Sequence, residues 1–302
     1  MTDMKRRLSN RSKLRQNAAA WMIMAPSIAL FAFFIWVPLL QSVVMSLFET
    51  TNITLDKFVG FANYADIFQN PLFGKALVNT LMYTFWSLVI GFLTPIFMAL
   101  VISEAPRWRG FFRTAAYLPN ILPALAAVLL WSAFFSGEES GAINSILALF
   151  GAEPTSFLDK SWLVIPLIVL ISTWKGAGAT ALIYMAGLSG INPELYDAAA
   201  IDGAGVFRRL RHITLPSIFN LGSTLMILQI IAIFQILYEP MVLTHGGPDN
   251  STLSLMLLMW RYITGGDMDY GKASATGVLI ALILLGFTVI YNILNKRKSD
   301  SV

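Results

Sequence analysis

Asn192-Pro193-Glu194-Leu195-Tyr196-Asp197-Ala198-Ala199-Ala200-Ile201-Asp202-Gly203-Ala204-Gly205, running on to Ile213-Thr214-Leu215-Pro216, is a polar stretch between two long apolar segments. A membrane protein gains nothing in the bilayer from such a loop. A simple return between two spans would be far shorter, so the length points to a docking surface for a separate protein. Local chemistry predicts its shape. Asn192 is a good N-cap and Pro193 suits the first helical position. Glu194 falls in the first turn, where the helix dipole favours an acid. Leu195 to Ile201 is helix-forming, with Ala198, Ala199 and Ala200 giving a small-residue face that another surface approaches closely. Gly203 and Gly205 permit a sharp turn. A second, basic helix is expected from Val206 to His212, and Pro216 marks the start of the next span. The predicted product is a helix–turn–helix lying along the membrane, with an alanine face and charged flanks.

The flanking segments decide the class. The chain has 302 residues, of which 56% are hydrophobic and 13% charged. Soluble domains carry about 25% charged residues, and mean hydropathy here is +0.67. A spanning helix needs about 20 mostly apolar residues. Six candidates meet that need: 19–47, 77–103, 114–136, 162–187, 218–243 and 273–294. The expected fold is therefore all-α and integral to the membrane, with six transmembrane helices. Strand periodicity is nowhere sustained, which argues against a barrel. Two spans carry interruptions: the third holds Pro119 and Pro123, and the fourth is expected to break at Lys175-Gly176-Ala177-Gly178.

Basic residues orient the chain. Lys5, Arg6, Arg7, Arg11, Lys13 and Arg15 precede the first span, which is too long for a cleaved signal segment. With both termini on one side, that side holds fifteen Lys and Arg, against five on the other. The excess puts both termini and the 188–217 loop in the cytoplasm. The expected organisation is a basic tail (1–18), a first span (19–47), an extracytoplasmic segment (48–76), a core of five spans (77–294) containing that loop, and a C-terminal tail (295–302). Within the outward segments, Gly60-Phe61-Ala62-Asn63-Tyr64 reads as turn-like. Ile143 to Phe150 reads as a short helix at the membrane surface, and His245-Gly246-Gly247-Pro248-Asp249-Asn250 as a turn.

Other chemistry is poorly supplied. Cysteine is absent, so no disulfide or thiolate site is available. The two histidines, His212 and His245, lie far apart. Gly266-Asp267-Met268-Asp269-Tyr270-Gly271-Lys272-Ala273 imitates a phosphate-binding loop. It has Ala273 where Ser or Thr must hold magnesium, and two acids that repel phosphate. Glu138-Glu139 and Asp267/Asp269 read as solvated surface rather than as paired catalytic carboxylates. The basic residues sit at membrane flanks, which makes nucleic acid an unsuitable partner.

The polar loop resembles the EAA loop of ABC importer permeases. The family pattern has Glu-Ala-Ala, a two-residue gap, Asp-Gly-Ala, then Ile-x-Leu-Pro. Here stand Asp197-Ala198-Ala199, Asp202-Gly203-Ala204 and Ile213-Thr214-Leu215-Pro216; the departure is Asp197 for Glu. Gly60 to Tyr64, Asn79-Thr80, Tyr117-Leu118-Pro119, Val242 to Pro248 and Asp269 to Ala275 resemble landmarks of the carbohydrate-importer branch. That branch includes maltose, glycerol-phosphate and oligosaccharide permeases. The resemblance implies that Ala198, Ala199, Gly203 and Ala204 line the contact with an ATP-binding subunit. Asp197 and Asp202 set its orientation, with Pro216 closing the motif. It implies as partners a second permease subunit, two ATP-binding subunits and an extracytoplasmic solute-binding protein. ATP and magnesium then belong to the ATP-binding subunits, and this chain carries no catalytic residue, cofactor or metal of its own.

Polar residues inside spans are costly and face cavities. Trp174 and Lys175 beside the glycines, and Gln229, Gln235, Tyr238 and Glu239 in the fifth span, are the candidates for the solute pathway. A sugar ring stacks on an indole. The alternative for Lys175 is a structural pair with an acid such as Glu239. Gln235 and Tyr238, three apart, are expected on one face, with Glu239-Pro240 breaking the helix. Tyr117 and Asn120 suit gating or packing. Two other functions compete. An ion-coupled secondary transporter needs acids within its spans, and only Glu239 qualifies. A membrane scaffold or receptor has no need of Lys175 and its glycines.

Overall fold

A computed structural model describes residues 17, 20–105, 107–138, 141–266 and 268–299, with side chains to residue 293. The basic residues of the N-terminal tail, Glu139, Asp267 and the side chains of the C-terminal tail lie outside the described residues. Among the described residues five helices are long and apolar enough to cross a membrane: Ala20–Met45, Pro71–Ser103, Val164–Ser189, Phe219–Leu243 and Tyr270–Ile293. The shortest, 24 residues, reaches about 36 Å at 1.5 Å per residue, more than the roughly 30 Å of hydrocarbon.

The third span, expected over 114–136 with Pro119 and Pro123 as interruptions, is a bent pair of helices. Two helices, Arg109–Ile121 and Ala124–Phe134, meet at 96°. Leu122 takes an extended conformation (φ −64°, ψ 136°) before Pro123. The pyrrolidine ring pushes its predecessor out of the helical region, and proline donates no N–H to continue the ladder. Pro119, by contrast, is accommodated inside its helix.

The fourth span is also corrected, in the opposite sense. Val164–Ser189 is one unbroken helix through Lys175-Gly176-Ala177-Gly178. The glycine that matters there permits contact, not bending. A Cβ on Gly178 would lie 1.9 Å from the Ala116 carbonyl oxygen and 2.4 Å from its carbon. The helix Arg109–Ile121 therefore crosses the fourth span with backbone against backbone.

In the fifth span the break falls at 235–237, between Phe219–Phe234 and Tyr238–Leu243, not at Glu239-Pro240. Ser254 Oγ donates to the Ile236 carbonyl at 2.7 Å, satisfying one backbone group freed by the interruption. The break also removes the helical argument for placing Gln235 and Tyr238 on one face. The second span carries a π-helical turn at Ser87–Gly91.

Two buried clusters hold the bundle. The larger joins the second, fourth, fifth and sixth spans to the short helix Leu255–Thr264, through Tyr83, Ile168, Phe234, Leu255 and Leu258. The smaller packs Ala99, Ile102, Ala181, Tyr184, Met185 and Ile218 near the other end. The first span stands apart: none of its most apolar window is buried, and it touches the sixth span and the first strand.

The segment 48–76 is more structured than its turn-like reading. A local antiparallel hairpin pairs β1 (Phe48–Thr51) with β2 (Thr54–Phe58), matching Phe48 to Phe58 and Thr51 to Thr54. Gly60 turns at φ +58°, and Ala62–Gln69 is helical. At this hairpin end, motifs scattered along the sequence form one hydrogen-bonded cap. Asn63 Nδ2 donates to Ser46 O and Phe48 O at 3.0 and 2.9 Å. Asn79 Nδ2 donates to Asn250 O and Leu253 O at 2.8 and 3.0 Å. Lys272, the lysine of the false phosphate loop, pairs with Asp66 and Asp269 at 3.4 and 3.2 Å. The expected short helix over 143–150 forms as Ala142–Ala148, with Leu149 and Phe150 each 83% exposed just beyond it.

Candidate functional site: the docking loop and the solute pathway

At the end opposite the hairpin, the 188–217 loop folds much as its sequence dictates. The first helix is Pro193–Ile201, and Asn192 Oδ1 accepts the Glu194 N–H at 3.1 Å. Gly203 turns the chain at φ +72°, in the region that favours glycine. Gly205 takes ordinary extended angles (φ −68°, ψ 170°) and supplies the next N-cap. The second helix starts at Val206, as expected, and persists past His212. Val206–Arg209 passes into a π-helical turn, Leu210–Thr214, and then Leu215–Ser217, which contains Pro216.

No residue from Pro193 to Arg209 is buried. Asp197, Ala198, Asp202 and Gly203 are exposed, while Ala199 and Ala204 are half-buried and joined by an Ala204 N–H to Ala199 carbonyl bond of 2.8 Å. The turn is thus tied through two of the small residues, and the outer surface combines Asp197, Ala198, Asp202 and Gly203 with apolar side chains. Ile201 and Phe207 are each 87% exposed and Val206 70%. Sequence reasoning passed over these three. Their signal was an apolar side chain on either side of a glycine turn in a polar loop. One strut fixes the element to the bundle: the Tyr196 and Thr214 hydroxyls lie 2.9 Å apart, and Thr214 is buried at the base of the loop.

The solute-pathway candidates divide. Trp174 packs edge-on against Trp131, with centroids 5.5 Å apart, and Trp131 stacks on Phe135 at the same separation. Trp131 Nε1 and Ser172 Oγ are buried without a hydrogen-bond partner. Such groups are unusual, since buried donors are nearly always satisfied. Trp131 was missed because its span reads as uniformly apolar. Lys175 is half-buried and forms no ion pair among the described residues, so the structural pairing with Glu239 is not made. Gln229 Nε2 donates to Ser87 Oγ at 2.7 Å, bridging the fifth span to the π-helical turn of the second. Gln235 and Tyr238 are exposed at the break, and Glu239 is half-buried in the short helix beyond it. That helix packs on Ala124–Phe134 and on the fourth span. It brings the neighbourhood of Trp131 and Trp174 to the same part of the bundle.

A polytopic helical bundle with an exposed apolar loop at one end and a structured cap at the other defines the chain as an integral membrane protein of the permease class. Residues 91–300 match the family described as binding-protein-dependent transport system inner membrane component, and the chain belongs to it. It is 30% identical to the arabinooligosaccharides transport system permease protein AraP of Bacillus subtilis, over 91% of this chain and 88% of that one. It is 29% identical to the trehalose/maltose transport system permease protein MalF of Thermococcus litoralis, over 97% and 99%. Among solved structures it is similar to a chain of a bacterial ABC transporter involved in import of the acidic polysaccharide alginate. The TM-score is 0.83 at 26% identity, over 95% of this chain and 98% of that one. A second structure of that kind, in complex with an alginate pentasaccharide-bound periplasmic protein, gives 0.84 at 26% identity over 95% and 96%. The ion-coupled alternative finds no support in these likenesses.

Proposed function

We propose that this chain is one of two permease subunits of an ATP-driven importer and carries a sugar or oligosaccharide inward. The observation that carries the reading is the loop 193–209, which leaves Ile201, Val206 and Phe207 uncovered on a capped, glycine-turned element. An apolar patch of that kind calls for a protein partner. Two copies of an ATP-binding subunit supply the partner surface, and they hold the ATP and magnesium. This chain hydrolyses nothing; it converts their closure into movement of the spans. The loop end faces the cytoplasm with both termini, as the basic excess favours, and the hairpin end receives solute from an extracytoplasmic binding protein. Relatives named for arabinooligosaccharides, trehalose/maltose and alginate support a saccharide cargo.

Inside the bundle, Trp174 and Trp131 offer indole faces. Lys175, Gln229, Gln235, Tyr238 and Glu239 offer polar contacts along the same passage. A free Lys175 ammonium suits an acidic saccharide as well as a neutral one. The reading is tested in proteoliposomes holding the whole importer, by uptake of labelled oligosaccharides with ATP inside. Saccharide uptake dependent on both ATP and the binding protein supports it. Uptake driven by an ion gradient without ATP overturns it.

A further inference from the structure

At the hairpin end, the second and fourth spans and the loop 249–251 flank a half-open groove of about 470 Å³. Its lining changes along the span axis. Lys75, Asp249, Ser251, Ser161 and Trp162 stand at the rim; Asn79 follows one turn in from Lys75, and Met82 and Trp86 lie deeper. Lys75, Met82 and Trp86 share one face of the helix Pro71–Trp86, at spacings of seven and four. Eleven residues separate the first from the last, about 16 Å of rise, roughly half the hydrocarbon thickness. Trp162 is 75% exposed just before the fourth span begins. That is the level at which amphipathic rings meet lipid headgroups. The groove is charged at the interface and apolar at depth.

Each polar group of the rim has capacity left over. Lys75 Nζ donates to the Asp249 carbonyl, which occupies one of three ammonium hydrogens. The Asp249 carboxylate has no partner among the described residues, and Ser251 Oγ is buried with none. A buried hydroxyl is costly until an acceptor completes it.

We infer that this groove holds one phospholipid with a primary-amine headgroup. Its phosphate lies between Lys75 and the Ser251 hydroxyl, its ammonium donates to Asp249, and an acyl chain runs down past Met82 and Trp86. A free saccharide would satisfy the rim and leave the apolar depth bare. By the orientation proposed above the lipid belongs to the outer leaflet; its binding does not rest on that orientation.

The test uses the purified importer in nanodiscs of equal phosphatidylethanolamine and phosphatidylcholine. Met82 is replaced by p-benzoylphenylalanine, and the photoproduct is identified by mass spectrometry. Both leaflets hold both lipids, so a wrong orientation does not affect the result. The expected product is an adduct of phosphatidylethanolamine in clear excess. Asp249→Asn is expected to lower that excess about fivefold, the weight of one interfacial charge, while Lys75→Gln, which touches the phosphate common to both lipids, is expected to lower the capture of both and keep their ratio. The same photoprobe at Leu285, 58% exposed on the sixth span, should capture the two lipids equally throughout. Equal capture at position 82, an excess untouched by Asp249→Asn, total capture untouched by Lys75→Gln, or a crosslink to another subunit would each overturn the inference.

Discussion

Replacing Gly178 by alanine should loosen the crossing of the third and fourth spans, while the same change at Gly176 should not. The magnitude follows from the geometry. An added Cβ at 178 would stand 1.9 Å from the Ala116 carbonyl oxygen, while one at 176 meets nothing within 4 Å. Ordinary van der Waals contact begins near 3.4 Å, so the two helices must part by about 1.5 Å. Both partners at 178 are backbone, so no side chain can swing aside. Overpacking of this kind costs about 1–3 kcal/mol. Alanine gains about 0.8–1 kcal/mol over glycine inside a helix, which at 176 is left as a net stabilisation. The assay is thermal unfolding of the purified chain in detergent, read beside uptake in proteoliposomes. Gly178→Ala is expected to lower the midpoint by several degrees and to depress uptake; Gly176→Ala should hold or raise the midpoint and keep uptake. If both variants keep their midpoint and lose uptake, the glycines act as a hinge and the packing argument fails.

The remaining predictions concern the loop and the pathway. Phe207→Ala should weaken binding of the ATP-binding subunit by about 30-fold, since covering a phenylalanine is worth about 2 kcal/mol; surface plasmon resonance on nanodisc-held permease would read it, and unchanged affinity would exclude Phe207 from the contact. Tyr196→Phe removes the 2.9 Å bond to Thr214, worth about 1 kcal/mol. It should reduce transport per ATP hydrolysed while association persists, and an unchanged ratio argues against a strut. Lys175→Met should raise the KM for an acidic oligosaccharide and leave a neutral one unaffected, measured as uptake of the two side by side. Trp131→Leu should weaken saccharide binding in tryptophan-quenching titrations without lowering the unfolding midpoint; loss of stability alone would make Trp131 a packing residue.

The parts of this molecule legible in its sequence are those governed by local rules. Asn192, Pro193 and Glu194 announce a helix start through capping and dipole chemistry, and the helix begins at Pro193. Long apolar runs locate the spans because the bilayer demands a minimum length. Prolines and glycines within spans were harder to read, because their outcome depends on neighbours distant in sequence. Pro123 bends the third span by 96° while Pro119 is absorbed. Gly178 serves a carbonyl sixty-two residues earlier. The break at 235–237 depends on Ser254 completing a backbone carbonyl, and no local signal at Gln235 predicts it. The small-residue motif of the loop drew attention to Ala199 and Ala204. Those two are half-buried and bonded to each other, and the exposed surface adds Ile201 and Phe207 to Ala198 and Gly203. The family landmarks at Asn63, Asn79 and Asp269 likewise made sense only once they met in one cap.

The central claim is that this chain moves solute only as part of a complex, gripped through residues 193–209. The direct measurement is affinity purification of the tagged chain from native membranes in mild detergent, with mass identification and stoichiometry of everything retained, for the native loop and for Ile201→Asp/Phe207→Asp. The account predicts a second permease and two ATP-binding subunits with the native chain, and loss of the ATP-binding subunits with the variant while the second permease stays. Recovery of the native chain alone, intact and monodisperse, or of an unchanged complex with the variant, would contradict it.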